Sequence, residues 1–463
     1  MIGVGRAHPS VSTPRDTEIL IIGAGSAGAA AARFFAERGR SVLLADKRAR
    51  GETGARWLNL VPAWCFERAG VALPSGDETP LGCSMHPMHL IAPGGRARVS
   101  MPPMASVHVH MRHFVDRLVR DALAAGAELV HGRAVDVELR GARARQVTFE
   151  NGSTIRAELI VDASGIGGAI RRRVLGSRCP DPDALDVCAA AEYQHAVRDR
   201  AGLAAFLARH GAAPGHSLAF PGVAGGYSTL SISTGPELDE VGVLAGSIPA
   251  LGVPNGAALH ARFVESTPWI GEARSGGAGA IPVRRPYATL GGAGVALIGD
   301  AACQVYGSHG SGVGMGLLAA RALADACAEA PDPGADGAID RYARAFHRAY
   351  GGLLASADAF RRFVQGRGAR ELDAIFETGL LEPAMAVSGV MQRHTTPDLG
   401  FVARSARRAI TAPRVTASFM PVALRTVTLE RIGALRGLER LVGAVVGATA
   451  PPGAPIALAL PRA

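Results

Sequence analysis

The sequence predicts an α/β fold: a parallel sheet flanked by helices, interrupted by a mainly antiparallel sheet and followed by a helical C-terminal region. Three observations carry it. Glu18–Ile22 and Val42–Asp46 are apolar runs of the buried parallel-strand type on either side of an Ala-rich helical stretch. A third such run, Gly294–Ile298, opens a matching strand, turn and helix far downstream. Between them, from about Val187 to Tyr287, the runs alternate as in an antiparallel sheet. At 463 residues and 48% hydrophobic composition, the chain buries a substantial core and divides into two or three domains.

That composition excludes disorder and a disulfide-stapled miniprotein. The 49 basic and 40 acidic residues leave a net charge of +9, yet Lys47 is the only lysine and the arginines are scattered, so no nucleic-acid surface is expected. Cys65, Cys83, Cys179, Cys188, Cys303 and Cys327 form no C-x-x-C pair, which implies a reducing compartment. Met1–Asp16 lacks the apolar stretch of a secretory signal, and the expected location is cytoplasmic. Leu441–Leu460 is uncharged, but Pro451, Pro452 and Pro455 interrupt it, so no transmembrane helix is expected.

The first strand stops at Gly23-Ala24-Gly25-Ser26-Ala27-Gly28, a G-x-G-x-x-G turn opening a helix over Ala29–Glu37. Gly39 turns the chain into the second strand, which ends on Asp46 and is followed by Lys47. This is a Rossmann unit. Gly23 allows the tight turn, Gly25 lets a pyrophosphate approach the backbone, and Gly28 lets helix and strand pack closely. Free N–H groups around Ser26 and Ala27 favour phosphate charge, and Asp46 stands where a carboxylate accepts from ribose hydroxyls.

Which dinucleotide is bound follows from the downstream element. Gly294–Ile298 leads to Gly299-Asp300-Ala301-Ala302, then to a glycine loop over Gly307–Gly316 and a helix over Leu317–Ala326. Asp300 suits ribityl hydroxyls, while backbone N–H groups of Gly310, Gly312 and Val313 suit the oxygens of an electron-rich ring. FAD has those parts and NAD does not. No second strand-GxGxxG-helix unit occurs, so NADPH or NADH is expected only as a visiting electron donor, with an electron-donor protein as the alternative source.

These motifs resemble, over roughly Asp16 to Tyr350, the FAD-dependent group that includes geranylgeranyl reductases, p-hydroxybenzoate hydroxylase-like monooxygenases and flavin-dependent halogenases. Arg112-His113-Phe114-Val115-Asp116-Arg117-Leu118 is similar to the group's R-x-x-F-D-x-x-L helix start, stretched by Val115. The resemblance implies that Arg112 lies near the pyrophosphate. Asp162-Ala163-Ser164-Gly165 resembles a strand end that places Ala163 and Gly165 beside the cofactor. A helix over Phe114–Ala125, a strand over Ala134–Leu139 and a hairpin at Glu150-Asn151-Gly152 fit as well, with Val135 contacting adenine through its backbone. Gly307 replaces the group's loop proline, which predicts a looser loop. The implied architecture is a Rossmann-type, glutathione reductase-like FAD-binding domain from residues 15–62, 105–186 and 285–350. Residues 63–104 and 187–284 form an inserted, mainly antiparallel substrate domain, and residues 351–463 a mainly helical C-terminal region.

On the substrate side, Gly225–Ser231 resembles the G-Y-x-W-x-F strand of the reductase branch, with Thr229 and Ser231 at aromatic positions. Gly277–Val283 resembles its G-G-x-I-P segment, and Gly51-Glu52-Thr53 its G-E-S/T turn. Trp57, Trp64, Phe66 and Met101–Met104 either line an apolar pocket or belong to ordinary core. Lysine-dependent halogenation is excluded, because Lys47 lies at the adenosine end and no W-x-W-x-I-P segment is present.

Two reactions on a hydrophobic isoprenoid, polyketide or aromatic compound remain: hydride transfer from reduced flavin to a C=C bond, and hydroxylation or epoxidation through a C4a-hydroperoxide. His309 in the glycine loop is the candidate proton donor, with Tyr227 and Cys303 behind it. A reading of another class is a non-catalytic FAD-binding scaffold. His86, His89, His108, His110 and His113 lie close in sequence, but no acid or cysteine completes a ligand set, so no metal is expected. Thr428–Val446, with Arg431, Arg436 and Arg440, suits a packing helix or, at most, peripheral membrane contact.

Overall fold

The computed structural model describes residues 14–80, 83–84, 87–394, 403–404, 407–408, 410–419 and 421–422; His86, Thr428–Val446 and Leu441–Leu460 lie outside them. Glu18–Ile22 proves to be the inner part of a longer strand, β1 (Arg15–Ile22), which leads into helix α1 (Ser26–Ala36) and strand β2 (Val42–Asp46). Every residue of β2 is buried, which is why VLLAD does not alternate. β1 runs parallel to β2 on one side and to Thr154–Asp162 on the other, with Glu128–His131 and Val295–Leu297 parallel beyond them. Ile22 is level with Ala45 and Asp162, and Asp162 with Leu297, so these strands end along one sheet edge. Ligands of open α/β sheets bind at that edge.

The helix Val313–Cys327 packs against α1, whose buried Ala29, Ala30, Ala31 and Ala32 permit close approach. The helix Met111–Ala124 begins three residues earlier than the sequence suggests, because the His110 ring accepts from His113 N and caps it. Residues 63–71 also depart from expectation. Cys65, Phe66, Ala69 and Val71 join the core of the parallel-sheet domain, and Phe66 meets Phe114 edge-on at 5.6 Å. Phe66 is therefore core, not pocket lining.

A seven-stranded sheet forms the second body, in the order Ile270–Pro282, Val187–Val197, Glu240–Ser247, Ser228–Thr234, Ser217–Pro221, Met88–Ile91, Arg98–Met101. Its pairings are antiparallel except between Ser217–Pro221 and Met88–Ile91. Leu218, Phe220, Leu230, Ile232, Val241, Val243 and Ala245 face outward, beneath helices Arg200–Arg209 and Gly256–Glu265. Strand alternation turns their neighbours inward. Pro221, Thr229, Gly246, Ala190 and Gly279 make one row across the inner face, and Ala219, Ser231, Leu244, Glu192 and Gly277 the next.

The described part of the C-terminal region carries helices Gly352–Gln365, Ala369–Glu377 and Pro383–Val390. Phe376, Ala386 and Met391 bury Met101 and Met104, which makes those methionines core as well. No helix among the described residues is long and apolar enough to cross a membrane.

Arg361, fully buried, fastens this region to the entrance of the second sheet. Its guanidinium donates to Asp186 Oδ1 and Asp358 Oδ1, both at 2.7 Å, and to Leu185 O at 3.0 Å. Removing it strands two buried carboxylates, with only the half-exposed Arg362 still beside them. Arg361→Met is expected to lose about 3 kcal/mol in chemical denaturation, and Arg362→Met less than about 1 kcal/mol. Equal losses would contradict this assignment.

Candidate flavin and substrate site

The glycine turn after β1 meets two opposite demands. Gly23 has φ +107°, and a Cβ there would lie 2.4 Å from Ala163 O; a Cβ on Gly28 would lie 1.9 Å from Gly23 O. Gly25, by contrast, has no neighbour within 4 Å of its Cβ position. Two glycines are demanded by protein packing, and the third faces open space at the helix N-terminus, where Ser26 and Ala27 begin α1. Asp46 closes the turn, Oδ2 accepting from Ala24 N at 2.7 Å and Oδ1 from Arg48 N at 2.8 Å. Beyond it, Lys47, Arg48, His131, Gly132, Arg133, Glu150 and Asn151 line a cleft of about 480 Å³. Val135 stands near that cleft on the strand Ala134–Arg140, outside its lining. Arg112, exposed in the first turn of its helix, donates from Nε to Gly51 O at 2.8 Å and so holds the Gly51–Thr53 turn.

The second motif meets the first at Ala27. A Cβ placed on Gly299 or on Gly316 would lie 3.2 Å from the Ala27 Cβ. Asp300, Gly312 and Val313 are brought beside the first turn by this contact, with Asp300 Oδ1 3.0 Å from the Cβ position of Gly312. The Asp300 carboxyl makes no side-chain hydrogen bond among the described residues, and burial pushes its pKa up to about 6. Ala163 and Gly165 complete the wall. Their loop is held by Asp162, which accepts from Ser164 N, Ile170 N and Arg171 N at 2.8–3.1 Å.

Sequence reasoning missed Arg171. It is fully buried, paired with Asp181, and donates to Tyr287 Oη at 3.0 Å and Ala301 O at 3.3 Å, tying the Asp162 loop to the Asp300 segment. The only advance signal was three consecutive arginines, Arg171–Arg173, just after that loop.

Comparisons with known proteins agree with this geometry. The family model described as lycopene cyclase protein matches residues 18–183. A digeranylgeranylglycerophospholipid reductase from Sulfolobus acidocaldarius is 24% identical over 368 residues, 75% of this chain and 77% of the relative. Digeranylgeranylglycerophospholipid reductase 1 from Methanopyrus kandleri is 29% identical over 339 residues, 68% and 80% of the two chains. Among solved structures, a geranylgeranyl bacteriochlorophyll reductase-like protein from Thermoplasma acidophilum superposes with a TM-score of 0.70 at 16% identity, covering 89% of this chain and all of that one. A flavin-dependent brominase superposes at 0.55 and 16% identity, covering 86% of this chain and 99% of its own.

The chain is thus similar to the geranylgeranyl reductase-like group in sequence and fold. It is an FAD-dependent oxidoreductase, not the inert scaffold that the sequence left open. The residues present fit that cofactor: open space at Gly25 for a pyrophosphate, Asp46 for a ribose, and the unpartnered Asp300 for ribityl hydroxyls.

On the substrate side, the loop with Gly307 is not loose. A Cβ there would lie 2.9 Å from Val283 O, Tyr227 Oη donates to Gly307 O at 2.9 Å, and Tyr306 N donates to Ser311 O at 2.9 Å. Glycine stands there because backbone passes too close for a side chain. Burial holds the Tyr227 phenol protonated, well above its ordinary range. Cys303 lies buried just before the loop with φ +56°, beside Tyr287 and not Tyr227. His309 packs on Tyr306, and its Nε2–H donates to Gly389 O at 3.2 Å. Close surroundings lower its pKa to about 4, so at neutral pH the imidazole is uncharged and its single N–H is committed to Gly389.

Glu192 is the second residue that sequence reasoning missed, although an acid inside Val187–Val197 was a visible signal. Its carboxyl accepts from Leu58 N at 2.5 Å and from Gln194 Nε2 at 2.6 Å, and burial pushes its pKa up to about 7. Trp57, next to Leu58, lies over Gly279, its Cη2 2.7 Å from the Cβ position there. Trp64 instead donates from Nε1 to Met391 O at 2.8 Å. His89 joins His216 at 3.0 Å, and the rings of His110 and His113 lie 4.3 Å apart, tilted by 40°. Among the described residues no group of three or more His, Cys, Asp or Glu is placed to hold a metal ion.

Gly28→Ala forces backbone apart at the cofactor turn; purified protein should retain less than about a tenth of the wild-type flavin and lose about 1–3 kcal/mol of stability, read by absorbance and melting. Glu192 titrates near 7 when folded against 4.5 in the ordinary range. The unfolded chain therefore binds fewer protons between those values, and stability falls as pH rises through that window. Glu192→Gln should remove that decline, so the melting-temperature gap between variant and wild type should widen from pH 5 to pH 7.

Proposed function

We propose that the enzyme transfers hydride from reduced FAD to an activated C=C bond of a hydrophobic small molecule. The observation that carries this reading is the set of relatives named as reductases, which match over most of their own length. The cofactor, when bound, supplies the hydride. The chain supplies the rest. Gly23–Gly28, Asp46, Arg112, Ala163 and Gly165 would hold the adenosine and pyrophosphate portions, and Asp300, Gly310, Gly312 and Val313 the flavin portion. The inner face of the antiparallel sheet would take the substrate, because Ile281 and Tyr227 reach the glycine loop there, Ile281 Cδ1 lying 3.7 Å from the Gly310 Cβ position. On that side Tyr227 holds a proton at neutral pH, and Glu192 is divided between its protonated and ionised forms. NADPH or NADH is the proposed reductant.

The test is anaerobic reduction of the flavoprotein with NADPH or NADH, then mixing with a geranylgeranyl glycerophospholipid and, separately, an aromatic polyketide. Flavin reoxidation without oxygen, with a product that has gained two hydrogens, is expected. A product that gains one oxygen atom, formed only in air, would replace this reading by monooxygenation.

A further inference from the structure

The centre of the sheet's outer face is apolar, with Leu230, Ile232, Val243 and Ala245, whereas Thr229, Ser231, Glu192 and Gln194 put polar groups on its inner face. Thr229 and Ser231 point inward from one strand, about 7 Å apart by strand geometry, and neither hydroxyl has a hydrogen-bond partner among the described residues. Both are only partly buried. Gln194, on the same face, is 6% exposed, and its Oε1 is buried with no partner. Its carboxamide lies across Gly242, Nε2 standing 2.6 Å from the Cβ position there, so it reaches over the neighbouring strand toward Ser233. Leaving a carbonyl oxygen buried without a donor is costly. Level with Thr229, Gly246 and Ala190 make a floor of small residues that ends at Gly279, where the Trp57 indole lies against it; Leu244 and Glu192 form the next row, between Ser231 and Gln194.

We propose that this face binds a flat, oxygenated ring compound, with Thr229, Ser231 and Gln194 meeting its hydroxyl and carbonyl oxygens. A small-residue floor beside an indole suits a planar body, and two hydroxyls plus an unpaired amide oxygen suit a ligand that both donates and accepts. A bare isoprenoid chain would leave all three unsatisfied. The inference rests on the reading of this face as the substrate side.

Calorimetric titration of the FAD-loaded enzyme tests it with three probes: flavone, its dihydroxylated derivative chrysin, and geranylgeraniol. Chrysin is expected to bind about tenfold more tightly than flavone. In a Thr229→Val, Ser231→Ala double variant that preference should shrink to about twofold, with geranylgeraniol weak throughout. Should the double variant melt lower than wild type, Ser231→Ala alone, set beside the hydroxyl-keeping Thr229→Ser, makes the same comparison. Equal binding of flavone and chrysin, a preference that survives loss of the hydroxyls, binding of neither flavone, or tightest binding of geranylgeraniol would each overturn the proposal. Flavin content, measured before titration, separates this from the function itself. Protein that takes up no FAD fails the cofactor reading, and the titrations decide the ring proposal independently.

Discussion

Close packing at Ala27 is the constraint on which the site depends. Two turns separated by some 270 residues of chain meet there because Gly299 and Gly316 carry no side chains and the Ala27 methyl fits against them. A methyl group at either would press the turns apart, and the open space at Gly25 and the carboxyl of Asp300 would no longer face one ligand. Packing of this kind is short-ranged and unforgiving, since interiors are filled to crystal-like density. Arg171 reinforces it from behind by joining the Asp162 loop to Ala301.

The antiparallel sheet divides its labour by alternation. One set of residues builds an apolar core with two helices, each large side chain contributing about 1.5–3 kcal/mol. The other set is mostly small or polar, and Ile281 on that face reaches the glycine loop. Glu192 gives that face its unusual electrostatics. Buried among apolar neighbours and tied to Leu58 N, its carboxyl exists in both protonation states near neutral pH. Perturbed acids of this sort gather at functional sites, though they also arise in purely structural networks. Arg361 with Asp186 and Asp358 is such a structural network, placed where the C-terminal helices dock.

Much of the cofactor side was legible in the linear sequence. Gly23, Gly25, Gly28 and Asp46 sit on consecutive elements, so their spacing alone predicts their geometry, and the structure brings Ala163, Asp300 and Gly312 to the same place. The substrate side was far less legible. Phe66, Met101 and Met104 admitted both a pocket and a core reading, with core the plainer one, because apolar composition does not say which neighbour arrives. Gly307 seemed a loosened proline position until Val283 O was found against it.

By itself, then, the sequence determined the strand types, the two glycine turns and the kind of cofactor they suit, because those features depend on local φ/ψ freedom and short spacings. Tertiary structure alone decided that His309 gives its N–H to Gly389, that Glu192 loses its water, and that Ile281 and Tyr227 reach the glycine loop. The partners come from segments 80 residues away for His309 and 134 for Glu192, and no local pattern encodes which of them will meet.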